Sequence, residues 1–137
     1  MGKKYLLDTN ICVHLLRGKY HVDASMDKVG FENCYISEIT VAELKYGSEL
    51  GRQKGYHKRD KALDAFLSKI NVLPIIDILD LFASEKARLR LAGTPAGDNF
   101  DLLIGCTSVH YRMVMVTENL KDFKNIRNVQ LENWIER

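Results

Sequence analysis

Proline is scarce in this chain, charge of either sign is nearly balanced, and long apolar runs are missing. Two Pro and nine Gly in 137 residues, with no low-complexity tract or repeat, exclude a fibrous or disordered chain. No apolar stretch approaches the roughly 18 residues that span a bilayer. Met1-Gly-Lys-Lys-Tyr5 has no signal-peptide apolar region, so an unprocessed, cytoplasmic chain is expected. A formal net charge of +2 provides no global field that would demand a polyanionic partner.

Three cysteines, Cys12, Cys34 and Cys106, form neither a CxxC pair nor a Cys/His ligand spacing. This excludes a disulfide framework and a structural zinc site, and predicts buried free thiols suited to a reducing compartment. Glycine-rich phosphate loops are absent, so a P-loop nucleotide enzyme is excluded. His14, His21, His57 and His110 have no Ser/Asp or Cys partner pattern, which leaves nucleophilic triad chemistry unsupported. The lack of a second Asp two residues after Asp8 also argues against a phosphoaspartate-type hydrolase.

What is present suits one ordinary globular domain spanning residues 1–137, with 46% hydrophobic residues to build its core. Short strand-like runs alternate with longer helical patterns, which predicts an α/β fold with a mainly parallel sheet of about five strands flanked by helices. Strands are expected at Lys4–Leu7, Asn33–Ser37, Val72–Ile75, Met113–Val116 and Val129–Leu131. A short helix marked by Ile11, Leu15 and Leu16 follows the first strand, and a weak one covers Val22–Val29. Helical spacing resumes at Ile39, Ala42, Glu43, Tyr46 and Leu50 behind a Ser37 cap. After Gly51 a basic stretch leads into a helix with Leu63, Phe66, Leu67 and Ile70 on its apolar face, its two arms forming a hairpin. Further helices are expected from Leu79 to Leu91, stopped by Gly93-Thr94-Pro95, and from Phe100 to about His110, capped by Asp98 or Asn99.

Against this apolar background four acids stand where elements begin or end: Asp8, Glu43, Asp98 and Asp101. A carboxylate beside a core segment is costly unless it is paired or bound to a cation. Several converging carboxylates repel, so a hard divalent metal is the natural partner. In an open parallel sheet, ligands gather beyond the carboxyl ends of the strands, where Asp8 and Thr117 fall. Asp8 also reads as a helix N-cap, and Asp98 as a loop or capping carboxylate. Glu43 shares a helix face with Ile39 and Tyr46, and Asp101 introduces the buried run Leu102-Leu103-Ile104. Asn10, Thr40, Thr117 and Asn119 are polar company able to orient carboxylates or water, or simply to cap helices. All-oxygen ligands favour Mg²⁺, with Mn²⁺ as the alternative.

Taken in order, Leu7-Asp8-Thr9-Asn10, Ile36-Ser-Glu-Ile-Thr40-Val-Ala-Glu43, Phe100-Asp101-Leu-Leu-Ile-Gly105 and Val116-Thr117-Glu-Asn119-Leu-Lys-Asp-Phe123 resemble the PIN-domain family, and more narrowly its VapC-type toxins. The resemblance runs to Leu131-Glu-Asn-Trp134 and implies a PIN-like three-layer fold. It matches Asp8, Glu43 and Asp101 to the family's main acidic positions, with Asp8 and Asp101 as metal ligands. Asn119 falls at a fourth position that holds Asp or Asn, and Asp98 is a possible helper. The activity implied is metal-dependent endoribonuclease cleavage of structured RNA, a transfer or ribosomal RNA loop, by the toxin of a toxin–antitoxin pair. A homodimer and a cognate antitoxin that sets an Arg against the carboxylates are implied as well.

From Lys45 to Lys61, six Lys or Arg face Glu49 and Asp60, a local excess of +4. Arg52, Lys54, Lys58 and Arg59, with Tyr56, then read as an RNA clamp or as a solvated helix face. Two other readings share the carboxylates: a catalytically silent PIN-like RNA-binding protein, and a metal-dependent phosphatase or DNase.

Overall fold

The computed structural model describes residues 2–56, 58–94 and 97–137, and of residues 58–60 the backbone alone. Five strands form its sheet: β1 (Tyr5–Leu7), β2 (Cys34–Ser37), β3 (Asn71–Leu73), β4 (Val114–Val116) and β5 (Gln130–Glu132). They lie in the order β3-β2-β1-β4-β5 and every pairing is parallel. The helices are α1 (Thr9–Leu16), α2 (Val22–Val29), α3 (Glu38–Gln53), α4 (Lys58–Leu67), α5 (Leu79–Leu91), α6 (Asn99–His110) and α7 (Leu120–Phe123).

The period of two along each strand divides the core between the two sheet faces. Leu7, Ile36 and Val116 point to one face, where Ile11, Met26, Leu44, Leu63 and Phe66 from α1–α4 cover them. Leu6 and Met115 point to the other, under Leu89, Leu102, Ile104 and Phe123 from α5–α7. Each such side chain, fully buried, contributes about 1.5–3 kcal/mol. Strands buried on both faces are apolar throughout, which is why β4 reads Val-Met-Val. Cys12, Cys34 and Cys106 are all buried free thiols, as expected.

Several boundaries differ from the sequence expectation for definable reasons. The helix expected to break at Gly51 instead runs to Gln53, with Gly51 buried. Gly55 is the true terminator: it takes φ +95, Tyr56 N–H bonds Gly51 O at 2.8 Å, and Gly55 N–H bonds Arg52 O at 3.0 Å. That is a Schellman closure with Gly at the left-handed position. At the other end the helix starts at Glu38 behind the expected Ser37 cap, which sets Glu43 in the second turn. β3 lies a residue or two earlier than expected, because Pro74 has no N–H to continue the ladder. Instead, Ile75 N–H bonds the Glu38 carboxylate at 2.9 Å. Pro95, expected to stop α5, lies outside the described residues, and Gly93 takes φ +65 at the helix end. No helix among the described residues is long and apolar enough to cross a membrane.

Chain order sets the location of the cleft. From β1 the chain moves outward through β2 to β3, then returns to place β4 on the other side of β1. The carboxyl ends of β1 and β4 therefore flank the point where the winding direction reverses, the usual opening of such sheets.

Candidate active site

β1 ends at Leu7, and its next residue caps α1. Asp8 has extended backbone (φ −68°, ψ 159°), and its Oδ1 accepts the Thr9 N–H at 2.8 Å. Its other oxygen accepts the Thr117 hydroxyl at 2.8 Å, from just beyond β4. Asp8 N–H also bonds Val116 O at 2.9 Å, so the two strand ends are tied by backbone and side chain together. Thr117 is fully buried and accepts the Asn119 N–H at 3.0 Å. Asp8 is thus both the cap and a member of an acidic cluster, so the two readings do not compete.

Thr9 links Asp8 to Glu43. Its hydroxyl lies 2.5 Å from Glu43 Oε1 and 3.1 Å from the buried Thr40 hydroxyl. A carboxylate only accepts, so the single Thr9 proton goes to Glu43 and Thr40 donates to Thr9. This chain of hydroxyls fixes one Glu43 oxygen and leaves the other unused by it.

The third acid arrives from α6. Asp98 caps that helix by accepting the Asp101 N–H at 2.8 Å, and Asp101 is half-buried one turn in. The loop before it is closely fitted. A Cβ on Gly97 would collide with the Asp101 carboxylate, and Gly97 N–H reaches Asp122 O at 3.2 Å.

The electrostatics follow from burial without a counter-charge. Burial pushes the Asp8 carboxyl up to about 6; its bonds from Thr117 and Thr9 oppose this, while Glu43 and Asp122 repel it further. Asp101 is likewise pushed up to about 6, first by burial and then by Asp98, Asp8 and Asp122. No Lys, Arg or His among the described residues acts on either group. Among the described residues the ion pairs are His14–Glu118, Arg52–Glu49, Arg88–Glu85 and Arg137–Glu118, and none includes a cluster acid.

Asp122 and Thr9 are the members that sequence reasoning passed over. Asp122 lies in the single turn α7, next to the fully buried Phe123, and its charge is felt by both Asp8 and Asp101. Its only sequence signal is an acid beside a core aromatic. Asn119 joins through its backbone, and its side chain is exposed. Asn10 follows on α1 with a buried Oδ1 that has no hydrogen-bond partner among the described residues.

The basic segment is a separate feature. Arg52 is bound to Glu49 at 2.7 Å, Lys54 is exposed at the end of α3, and Tyr56 is largely exposed. The side chains of Lys58 and Arg59, and all of His57, lie outside the described residues.

Two or more unpaired carboxylates facing one another at a sheet's switch point make a cation site in chemical character. Residues 5–129 match the PIN-domain family model. The chain belongs to the PIN-domain family. It is 34% identical over 135 residues to Ribonuclease VapC2 of Rickettsia felis, covering 95% of this chain and 97% of that one. It is 28% identical to the tRNA(fMet)-specific endonuclease VapC of Salmonella typhimurium, covering 96% and 98%. Among solved structures it resembles VapBC2 from Rickettsia felis bound to a promoter DNA fragment, with a TM-score of 0.83, 32% identity, and coverage of 95% and 98%. The PIN architecture expected from the motifs is therefore the observed one, with a sheet that is parallel throughout.

Proposed function

We propose that this protein is a divalent-metal-dependent endoribonuclease, the toxin of a toxin–antitoxin pair, which hydrolyses phosphodiester bonds in structured RNA. The observation that carries this is the pair Asp8 and Asp101, both short of a cation at the β1–β4 switch point of a PIN domain. The names of the relatives support the ribonuclease reading, and the VapBC complexes support a protein partner.

The donor set fits Mg²⁺. Asp8 and Asp101 would hold the ion, with Glu43, Asp98, Asp122 and Asn119 around them. Each Asp8 oxygen already accepts one hydrogen bond and retains a second lone pair. Among the described residues no three acidic, His or Cys side chains stand close enough to hold an ion by themselves. Mg²⁺ suits such a set because it keeps several waters and takes only one or two carboxylates. When bound, the ion supplies charge stabilisation for the phosphate and acidifies water for in-line attack. This chain's residues do the rest. Thr117 and the Thr9 N–H orient Asp8, the hydroxyls of Thr40 and Thr9 hold Glu43 in position to accept a proton from water, and the α6 cap sets Asp101.

One apolar side chain of an antitoxin segment would fit a small cavity of about 80 Å³ between α1, α3 and α4, lined by Val13, Leu16, Leu44 and Leu63 with Arg17 beside them. Glu43 lines it too, so a peptide seated there reaches the acidic cluster, where an Arg would meet unpaired carboxylates. Val72, Ile76 and Leu79 are exposed within eight residues and supply an apolar surface for a second copy of the chain. Arg52, Lys54, Lys58 and Arg59 would clamp RNA phosphates. Residues 1–137 act as one cytoplasmic domain in this reading.

The test is end mapping of total cellular RNA after incubation with Mg²⁺ and either the purified chain or its Asp8→Asn variant. Discrete cuts that vanish in the variant are expected. RNA bound but uncut by either protein would turn the reading to a silent RNA-binding module, and turnover of DNA or small phosphoesters without RNA preference to a different hydrolase.

A further inference from the structure

We infer that Lys86 is a phosphate anchor, seating a phosphate of the substrate strand beside the one being cut; this rests on the ribonuclease reading above. Lys86 lies on the exposed side of α5, and its ammonium donates to Asn99 Oδ1 at 2.8 Å. It is also carried above the Phe82 ring, 5.8 Å from the centroid. Asn99 is the first residue of α6, between the cap Asp98 and the cluster acid Asp101. One Cα–Cα step of about 3.8 Å separates it from Asp98. A fixed positive charge therefore stands at the mouth of the helix that carries the catalytic acid.

That charge is not used to balance the cluster. Lys86 belongs to none of the ion pairs among the described residues, and it does not act on Asp8 or Asp101. Two residues further along α5 the contrast is direct, because Arg88 is committed to Glu85 through both Nε and Nη2. An ammonium has three N–H donors, and the bond to Asn99 uses one. An exposed lysine that gives up side-chain freedom for a bond to a neutral amide gains a defined position without pairing with an acid.

RNA needs such a group here. A polyanion approaching Asp8, Glu43, Asp98, Asp101 and Asp122 is repelled before any cation is shared with it. A compact ammonium outside the cluster takes a neighbouring phosphate as a point charge. Phe100, next to Asn99 and 49% exposed, offers a ring on which an adjacent base can stack.

The experiment measures binding of end-labelled, unfractionated transfer RNA across a salt series, in the Asp8→Asn background so that nothing is cut. Lys86→Met keeps the stem over Phe82 and removes the charge; Lys86→Arg restores it. Lys86→Met should weaken binding several-fold and shrink the salt slope by about 0.7–0.9, the share of one phosphate contact. Lys86→Arg should recover the slope, with melting temperatures unchanged in both. In the otherwise unmodified enzyme, Lys86→Met should raise KM with kcat retained. An unchanged slope, a slope that Arg does not restore, or a loss that follows the melting temperature would each overturn the anchor. Absence of metal-dependent cleavage by the unmodified protein, with the Lys86 slope effect intact, would sink the ribonuclease reading alone.

Discussion

Asp8 and Glu85 are equally buried, each 5% exposed, yet their surroundings drive them in opposite directions. Glu85 receives the Arg88 guanidinium at 2.7 and 2.6 Å and the Arg127 N–H at 2.7 Å. Arg88 Nη2 also reaches Asn125 O at 2.9 Å, so the group staples the segment after α7 onto α5. Those bonds, Arg88 foremost, hold the Glu85 carboxyl below its ordinary range. Asp8 receives only neutral donors and rises to about 6. Burial costs both acids, Asp8 more than Glu85, and at Glu85 the bonds from Arg88 outweigh that cost. A buried acid with its own arginine is part of the scaffold, whereas one left without a cation marks where an external cation fits.

Removing each acid breaks the comparison most directly. Asp8→Asn should lower RNA cleavage well beyond about 100-fold, since changes to groups that merely orient metal ligands already cost 10–100-fold. The same variant, free of metal, should be about 1–2 kcal/mol more stable at neutral pH, because it deletes a repelled charge. Chemical denaturation with EDTA reads this; a destabilised Asp8→Asn would mean that the cluster is already neutralised. Glu85→Gln should do the reverse. It should cost about 2–3 kcal/mol by stranding the Arg88 and Arg127 donors, while cleavage per folded molecule stays unchanged. Loss of activity from fully folded Glu85→Gln would merge the two regions into one functional unit.

Acidity sharpens the contrast further. Asp8 and Asp101 have folded pKa values of about 6 against an ordinary 3.8, so between these limits the folded chain binds more protons than the unfolded one. Their contribution to stability is fully present below about 3.8 and is lost as pH rises through about 6. Glu85, held low, works the other way, its contribution being lost as pH falls through its folded value. The wild type minus Asp8→Asn difference in denaturation midpoint, measured with EDTA, should therefore shrink in magnitude on acidification. Saturating Mg²⁺ should reverse the order of the two proteins at neutral pH by binding the folded wild type. A difference independent of both pH and Mg²⁺ would leave no cation site at Asp8.

The sequence reading singled out Asp8 and Asp101 because each adjoins an apolar run, where a charge is costly wherever the chain folds. Glu43 was singled out on a stripe with Ile39 and Tyr46, but Tyr46 is 69% exposed and the buried positions of α3 are Thr40, Leu44 and Gly51. The switch point was legible too, since alternating strands and helices predict a parallel sheet and strand ends are easily located. Asp122 was not legible. Its helix is a single turn, Leu120–Phe123, too short for any periodicity to show which side faces the cluster. Thr9 escaped for another reason: its role depends on Glu43, 34 residues away, and hydroxyl bonding across elements leaves no local signature. The extension of α3 past Gly51 was hidden by local propensity. A glycine reads as a stop, but here packing outweighs its cost of about 1 kcal/mol and the left-handed residue comes at Gly55.

The smallest expected effect tests how far the unpaired acid depends on the fit of its surroundings. Gly97 is the residue against which the Asp101 carboxylate rests, and an added Cβ would overlap that carboxylate. Gly97 N–H also bonds the backbone carbonyl of Asp122, so the same residue ties the loop to α7. Gly97→Ala should displace Asp101 without removing any charge. Cleavage should fall about 10–100-fold, as for other changes that misplace a metal ligand, and the Mg²⁺ concentration for half-maximal activity should rise. Stability without metal should fall by about 1–3 kcal/mol, because the added Cβ would also lie 2.8 Å from Asp101 Cβ, which no side-chain rotation moves, so the backbone must shift. Recovery of activity at high Mg²⁺ would place the defect in ligand geometry. A large loss of stability with the Mg²⁺ requirement unchanged would mean that Gly97 serves the loop, and that Asp101 is positioned by its own helix and the Asp98 cap alone.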